Sequence, residues 1–115
     1  MLIRRFTAED AEQLSQLIKR TLRKVNSRDY SMGAIESLIP FFRPESLIQK
    51  ASEQYMIVCI DAGDLVGVAA LDGDRVRTVF VDADRQRRGI GKLLMADIEA
   101  RAIDTHQIAT RTNLA

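Results

Sequence analysis

The sequence predicts an α/β domain of the α+β class, in which a mixed, mostly antiparallel sheet is flanked by helices. Two kinds of hydrophobic spacing support this prediction. Apolar residues recur at helical spacing early in the chain, whereas residues 55–60 and 65–71 are dense β-type runs separated by an Asp-Ala-Gly-Asp turn. A third observation, at residues 79–94, is an apolar strand followed by a glycine-containing turn and the start of a helix.

The first half of the chain is predicted to form one short strand and two helices. Residues 2–6 are typical of a first strand, and Thr7 is expected to cap a helix, with Asp10 completing an approximate capping box. Ser31 is expected to cap a second helix that ends at Pro40, and a further helical turn is expected after Pro44. The apolar stripe of the first helix consists of Leu14, Leu17, Ile18, Leu22 and Val25.

The second half is predicted to form three antiparallel strands, a helix and a fifth strand. Residues 55–60 and 65–71 indicate a hairpin, and residues 75–81 a further strand after a second turn. Gly67 inside a strand indicates either a tolerated glycine or a bulge or close backbone approach. A helix follows Gly91, residues 104–106 are expected to form a loop, and residues 107–112 have the β-leaning content of a last strand.

The stretch at residues 79–94, V-F-V-D-A-D-R-Q-R-R-G-I-G-K-L-L, predicts an anion site. Glycine lets a backbone N–H approach an anion closely, and the first turn of a helix offers N–H groups without internal partners. A phosphate or pyrophosphate is therefore the expected ligand. Walker A and dinucleotide motifs fit poorly, because leucines stand at positions 93 and 94. The cations of the stretch are Arg85, Arg87, Arg88 and Lys92.

The composition argues against several other classes of function. A chain of 115 residues with 46% hydrophobic residues suits one domain over residues 1–115. A net charge of +1 argues against a nucleic-acid partner, and one histidine with the single Cys59 argues against a zinc site. We find no signal peptide or membrane span in the sequence and expect no membrane partner and a cytoplasmic location.

The run Gln86-Arg87-Arg88-Gly89-Ile90-Gly91 resembles the Gln/Arg-x-x-Gly-x-Gly/Ala signature of the GNAT N-acetyltransferase superfamily. The resemblance implies acetyl-CoA as acyl donor, with the fourth strand holding its pantetheine arm and the glycine turn its pyrophosphate. The cofactor-binding residues implied in this way are Val79, Phe80, Val81, Gln86, Arg87, Arg88, Gly89, Ile90, Gly91 and Lys92.

The chain departs from the family pattern in two ways. Ala83 stands where the family often has proline. Family members also usually continue past the fifth strand with a helix that carries a tyrosine and with two further strands. We therefore expect a C-terminally incomplete GNAT-like domain, and the unpaired edge of the fifth strand suggests a homodimer formed through that edge.

The implied function is direct transfer of an acetyl group from acetyl-CoA to the amine of a small molecule or a peptide. The catalytic residues stay unassigned, because Glu36, Asp72 and Asp82 are equal candidates for the base. The resemblance also suggests that Phe41 and Phe42 line the acceptor pocket, although core packing is an equal alternative. Two other functions stay open: a non-catalytic acyl-CoA-binding or regulatory module with a degenerate or truncated GNAT domain, and an interaction domain for acidic partners.

Overall fold

A four-stranded antiparallel sheet forms the centre of the structure, a computed structural model that describes residues 1–25, 32–85 and 88–114. The strands are β1 (Leu2–Arg5), β2 (Tyr55–Asp61), β3 (Asp64–Asp72) and β4 (Arg75–Val81). They lie side by side in the order β1-β2-β3-β4. The helices are α1 (Ala11–Val25), α2 (Met32–Leu38), α3 (Pro44–Glu53) and α4 (Ile90–Leu114).

The sheet separates two hydrophobic layers. On one face α1, α2 and α3 pack through Leu14, Leu17, Ile18, Leu22, Ile35 and Leu47. On the other face α4 packs alone through Ile90, Leu94 and Ile98. The strands supply alternate residues to the two layers, so that Val58 of β2 faces one layer and Ile57 the other. The predicted apolar stripe of the first helix is confirmed from Leu14 to Leu22.

Gly67 of β3 lies directly beneath α4. A Cβ atom on Gly67 would lie 2.9 Å from Ile90 Cγ2, 3.0 Å from Leu94 Cδ1 and 3.3 Å from the main-chain oxygen of Phe80. Such distances leave no room for a side chain. Two of the alternatives considered for this glycine therefore hold. Another element approaches Gly67 closely, and a bulge adjoins it, because the register of β3 with β2 shifts between Cys59, which lies opposite Gly67, and Ile60, which lies opposite Leu65.

The predicted capping box at the start of the first helical segment is confirmed. The main-chain N–H of Thr7 donates to Asp10 Oδ2 at 2.8 Å, and a short 3-10 turn leads into α1. Arg4 of β1 donates from Nη1 and Nη2 to the two oxygens of the same carboxylate, both at 2.8 Å. These contacts hold the pKa of Asp10 below its ordinary value, chiefly because Arg4 stabilises the anion.

The described residues between β1 and β2 form three α-helices, where the sequence predicted two helices and one further turn. α2 ends at Leu38, and Pro40 lies in a 3-10 turn that connects it to α3. Pro44 occupies the first turn of α3, where its missing N–H costs no hydrogen bond. Ser31, the predicted cap of α2, lies outside the described residues.

The predicted fifth strand is wrong. Residues 107–112 belong to α4, as do residues 104–106, which were predicted as a loop. No glycine or proline lies between Gly91 and the end of α4. Extending an existing helix by one residue costs little, so the β-leaning residues of this segment do not stop it. The proposed homodimer edge loses its strand, and β4 is instead one of the two edge strands of the described sheet.

β4 contains a bulge. Its register with β3 shifts between Ala70, which lies opposite Thr78, and Leu71, which lies opposite Val76. Arg77 is therefore an extra residue in β4, and such a residue bends its strand and re-aims the neighbouring main-chain groups. The strands of the described sheet are all antiparallel, where a mixed sheet was predicted. Within the described parts of the chain, none of the helices has the length and apolar character that crossing a membrane requires.

Candidate functional site

The outer edge of β4 carries main-chain groups that no other described strand pairs. The N–H of Asp82 donates to the carbonyl oxygen of Val66 at 2.8 Å, so Asp82 directs its main chain toward β3. This direction alternates along an antiparallel strand. Phe80 therefore also faces β3, whereas Val79 and Val81 present their N–H and C=O groups to the open edge.

The side chains of residues 79–81 also alternate, between the two faces of the sheet. Val79 is 41% exposed, and Val81 packs against the layer beneath α4. The Phe80 ring points to the opposite face and meets the Phe42 ring edge-on, with 5.5 Å between the ring centroids. Of the three residues predicted to hold pantetheine, Val79 and Val81 are thus at the edge, while Phe80 is turned into the core.

The N-terminus of α4 lies beside the end of β4. The Leu93 N–H donates to the Gly89 carbonyl oxygen at 3.0 Å, which is the first hydrogen bond of the helix. The N–H groups of residues 90–92 precede that bond and have no acceptor within the helix. A Cβ on Gly91 would lie 3.8 Å from Val81 Cγ2, so the helix start touches the strand end. The side chain of Ile90 is buried in the core, which leaves its main chain for a ligand.

Gly89 turns the chain into α4 with a positive φ of 82°. This left-handed conformation favours glycine because it brings a Cβ close to the backbone. No described atom would lie within 4 Å of a Cβ at this position, so the space in front of the turn is open. The turn therefore combines the freedom of glycine with access for a ligand.

Two of the predicted cations are available at this turn. The side chains of Arg88 and Lys92 are exposed, and no ion pair joins either of them to another described residue. Arg85 instead donates to Asp64 Oδ2 at 3.0 Å. This hydrogen bond raises the pKa of Arg85 above its already high ordinary value. Gln86 and Arg87, the remaining predicted site residues, lie outside the described part of the chain.

The turn between β4 and the glycines is held by α1. Arg20 donates from Nη2 to Asp82 Oδ2 at 3.2 Å, and the Asp84 N–H donates to Asp82 Oδ1 at 3.0 Å. Lys24 pairs with Asp84 and lowers the pKa of that carboxyl through this hydrogen bond. Sequence analysis assigned no role to Arg20 and Lys24. It missed these contacts, because no local pattern links residues that are 60 or more positions apart.

A polar cavity of about 270 Å³ lies behind this turn, between α1 and the hairpin that joins β2 to β3. Its charged lining comes from the pairs Arg20–Asp82 and Arg85–Asp64, and Gln13 and Gln16 contribute amides. The opposite charges of the lining are already paired with each other. The cavity thus belongs to the structure that supports the turn.

The three candidate bases each meet an arginine. Glu36 accepts from Arg23 at 3.1 Å and Asp72 lies 3.6 Å from Arg77, both on the surface. Asp82 is the buried member of the set and accepts from Arg20. None of the three is an unpaired carboxylate, so the structure assigns no base.

Phe41 and Phe42 have different surroundings. Phe41 is 62% exposed and lines a cleft of about 340 Å³ together with Pro40, Ser46, Gln49, Lys50 and Glu53. Phe42 is half-buried and packs on Phe80 of β4. Core packing thus holds for Phe42, whereas Phe41 is exposed in a cleft and its place in an acceptor pocket stays a prediction.

The described tyrosine, Tyr55, makes structural contacts with α4 and β1. Its hydroxyl donates to Asp97 of α4 at 2.6 Å. The guanidinium carbon atoms of Arg5 and Arg101 lie 4.6 Å and 4.9 Å from the centre of its ring. Burial raises the pKa of this hydroxyl, and the contacts fasten α4 to β2.

Comparison with known proteins gives a family for this arrangement. The chain matches the acetyltransferase (GNAT) domain family over residues 26–114, which is most of its length. The protein belongs to the GNAT family. This confirms the resemblance seen in residues 86–91.

Solved GNAT structures have the same fold. A GCN5-related N-acetyltransferase from Rhodopseudomonas palustris has 22% identity and a TM-score of 0.81, over 88% of this chain and 64% of its own. The PaiA N-acetyltransferase from Thermoplasma acidophilum, solved in complex with coenzyme A, has 18% identity and a TM-score of 0.81, over 91% of this chain and 73% of its own. Apo YjaB from Escherichia coli has 20% identity and a TM-score of 0.69, over 97% of this chain and 78% of its own.

At these identities the likeness concerns the fold. This GNAT chain spans less than two thirds of the Rhodopseudomonas protein that it matches. None of the curated proteins is significantly similar to it in sequence. Within the described residues, no group of three or more His, Cys, Asp or Glu side chains is arranged to hold a metal ion.

Proposed function

We propose that this GNAT chain binds acetyl-CoA and transfers its acetyl group to the amine of a small molecule or a peptide. One observation carries the proposal: the open main-chain edge formed by Val79 and Val81 meets the free N-terminus of α4, with Gly91 against Val81. A strand edge and a helix N-terminus in contact suit a ligand that is amide-rich at one end and anionic at the other. Coenzyme A has that composition.

The phosphates would bind at the helix end. The N–H groups of residues 90–92 offer donors, and the helix dipole of the 25-residue α4 adds a partial positive charge. The guanidinium of Arg88 and the ammonium of Lys92 are exposed at the same turn and supply charge-assisted hydrogen bonds. Gln86 and Arg87 are part of this proposed site on the family signature alone.

The pantetheine arm would lie along β4. Its two amides can exchange hydrogen bonds with the outward groups of Val79 and Val81, as a further strand would do. The exposed side chain of Val79 offers apolar surface to the arm. The Arg77 bulge lies two residues before Val79 and re-aims main-chain N–H groups there, which makes them candidates for polarising the thioester carbonyl.

The proposed transfer is direct. The neutral acceptor amine attacks the thioester carbonyl carbon, the C–S bond breaks, coenzyme A leaves as the thiolate, and the amine loses one proton. The family and the coenzyme A complex of the PaiA protein support this donor and this reaction class. The chain's own contribution is to bind the donor, orient it and polarise its carbonyl.

Calorimetry with acetyl-CoA on two glycine variants tests the site. Gly89→Glu places bulk and negative charge in the glycine turn, and we expect it to abolish binding. Gly73→Glu is the matched control: Gly73 also has positive φ, 63°, and open space around it, but it lies in the turn before β4, at the opposite end of that strand. Equal affinity in the two variants contradicts the site.

A thiol-release assay over a panel of amines then separates an enzyme from a binding module. The described tyrosine donates to Asp97 and is not positioned as a general acid for the thiolate. This observation favours a non-catalytic acyl-CoA-binding module as the second candidate. If acetyl-CoA binds but no amine of the panel causes release of the coenzyme A thiol, the result would support that module and contradict the transferase.

A further inference from the structure

We propose that Lys50 is a site of N-acylation by the chain's own acyl-CoA donor, an inference that rests on the proposed function. Lys50 lies in the last turn of α3 and lines the cleft of about 340 Å³ that also contains the exposed Phe41. Its amine is held in a fixed position inside that cleft. The modification would join an acyl group to Nζ through an amide bond.

Two contacts fix the amine. The Lys50 Nζ donates to the main-chain oxygen of Phe41 at 2.9 Å. The same atom lies 4.3 Å from the centre of the Phe42 ring. One donor position on the nitrogen is thus used, and the aromatic face covers another side. The cleft lies open around the rest of the group, so an acyl donor can reach a nitrogen that is already ordered.

The surroundings favour the reactive form of this amine. Burial lowers the pKa of Lys50, which raises the fraction of neutral amine at a given pH. The Phe42 face favours the cation and so opposes part of this effect. Glu53 also lines this cleft. Lys50 therefore differs from a solvated lysine in its fixed position and in a pKa that burial moves downward.

The amine also has a structural link to the proposed donor strand. Lys50 covers one side of the Phe42 ring, and Phe42 packs edge-on against Phe80 of β4. The outward groups of the neighbouring Val79 and Val81 form the proposed pantetheine edge. The row Lys50–Phe42–Phe80 thus runs from the cleft to β4 across the α3 face of the sheet.

The reaction balances without any further reactant. The Lys50 ammonium first gives up one proton to solvent. The neutral nitrogen then forms a bond to the thioester carbonyl carbon, the C–S bond breaks, coenzyme A leaves as the thiolate, and the nitrogen gives up a second proton to solvent. The product is a neutral amide, which removes the positive charge from the Phe42 face. No oxidant, reductant or metal takes part.

Time-resolved mass spectrometry of the full chain incubated with acetyl-CoA tests the inference. The sequence contains four lysines, at positions 19, 24, 50 and 92, and all four can be followed in one digest. We expect Lys50 to be acetylated first. Lys19 is the matched comparison, since it is also half-buried and takes part in no ion pair with a described residue. Lys50→Arg should lose the early product, whereas Lys19→Arg should keep it.

The outcomes separate this inference from the proposed function. If calorimetry detects acetyl-CoA binding and Lys50 is acetylated no faster than Lys19, the Lys50 inference is overturned and the proposed function stands. If acetyl-CoA does not bind, the proposed function fails. Trace labelling with acetic anhydride measures the reactivity of each amine without a coenzyme A site. If acetic anhydride labels Lys50 faster than Lys19, the result supports a high intrinsic reactivity of Lys50. Faster labelling of Lys19 counts against that reactivity.

Discussion

Arg20 of α1 donates from Nη2 to Asp82 Oδ2 at 3.2 Å, and so ties a helix on one face of the sheet to the turn that leads to α4. The Asp82 side chain is 10% exposed and that of Arg20 52% exposed. The same carboxylate accepts the Asp84 N–H, and the Asp82 carbonyl accepts the Arg85 N–H. The conformation of the proposed phosphate turn thus depends on a residue of α1 that lies behind it.

Replacing Arg20 with alanine is expected to destabilise the fold by about 1–2 kcal/mol, because the nearly buried Asp82 carboxylate loses its partner. Lys24→Ala is the control: it removes the other ion pair between α1 and this turn, whose side chains are 57% and 64% exposed. We expect less than about 1 kcal/mol for that exposed pair. Urea unfolding measures both variants, and equal losses would contradict the structural role of Arg20.

Gly67→Ala is expected to destabilise the protein by about 1–3 kcal/mol, since a methyl group there overpacks the contact between β3 and α4. Gly91→Ala provides the contrast, because its Cβ would lie at an ordinary 3.8 Å from Val81 Cγ2. Alanine also favours a helix more than glycine does, so no loss of stability is expected at that position. Chemical unfolding of the two variants tests the prediction, and a neutral Gly67→Ala would mean that α4 can move away freely.

Arg88→Ala combined with Lys92→Ala is expected to weaken binding of coenzyme A by about 10- to 100-fold through loss of charge-assisted hydrogen bonds to phosphates. The loss should shrink at high salt, because both side chains are exposed. Lys19→Ala combined with Arg43→Ala removes the same charge from elsewhere on the protein and serves as the control. Calorimetry at two salt concentrations checks this, and the proposed phosphate site is contradicted if both pairs lower the affinity equally.

Asp10→Asn is expected to lower stability by about 1–2 kcal/mol at pH 7, because it removes a carboxylate that accepts from Arg4 and from the Thr7 N–H. The folded pKa of Asp10 lies below its unfolded value. Its contribution is therefore fully present above the unfolded pKa of about 3.9 and is lost as the pH falls through the folded pKa.

The difference in stability between Asp10→Asn and the native chain should thus vanish in acid. Glu9→Gln makes the same change of charge at an exposed neighbouring carboxylate and should show a smaller effect. Thermal unfolding between pH 3 and pH 7 gives the comparison. A constant difference across that range would show that the charge of Asp10 is not what matters.

Local patterns predicted most of the fold. The β-type runs, the apolar stripe of α1 and the Thr7–Asp10 capping box all rest on interactions between residues close in sequence, and each is confirmed. The prediction of a fifth strand was wrong because residues 107–112 follow a helix that contains no stop signal. The β-leaning preference of this short segment competes with the extension of the helix that precedes it. The composition of the segment alone does not show that a helix runs into it.

The candidate site was predicted in part for a similar reason. Glycines at the start of a helix are a local signal for an anion site, so the sequence could mark Gly89 and Gly91 as candidates, and their role as a phosphate turn stays a prediction. The contact of Arg20 with Asp82 joins positions 62 residues apart. The direction of the Val79 and Val81 main chains depends on the register with β3, which a sequence pattern does not specify. Long-range contacts and register are properties of the folded sheet.

Gly67 lies opposite Val81 in the sheet, and Val81 is one wall of the space between β4 and the start of α4. Because Gly67 has no side chain, α4 approaches the sheet more closely than any other residue at that position would allow. The position of the α4 N-terminus beside β4 is therefore determined from inside the core, by a residue that lies beneath the proposed site. Variants that alter the affinity for acyl-CoA should be sought in this buried layer as well as among the exposed residues of the proposed site.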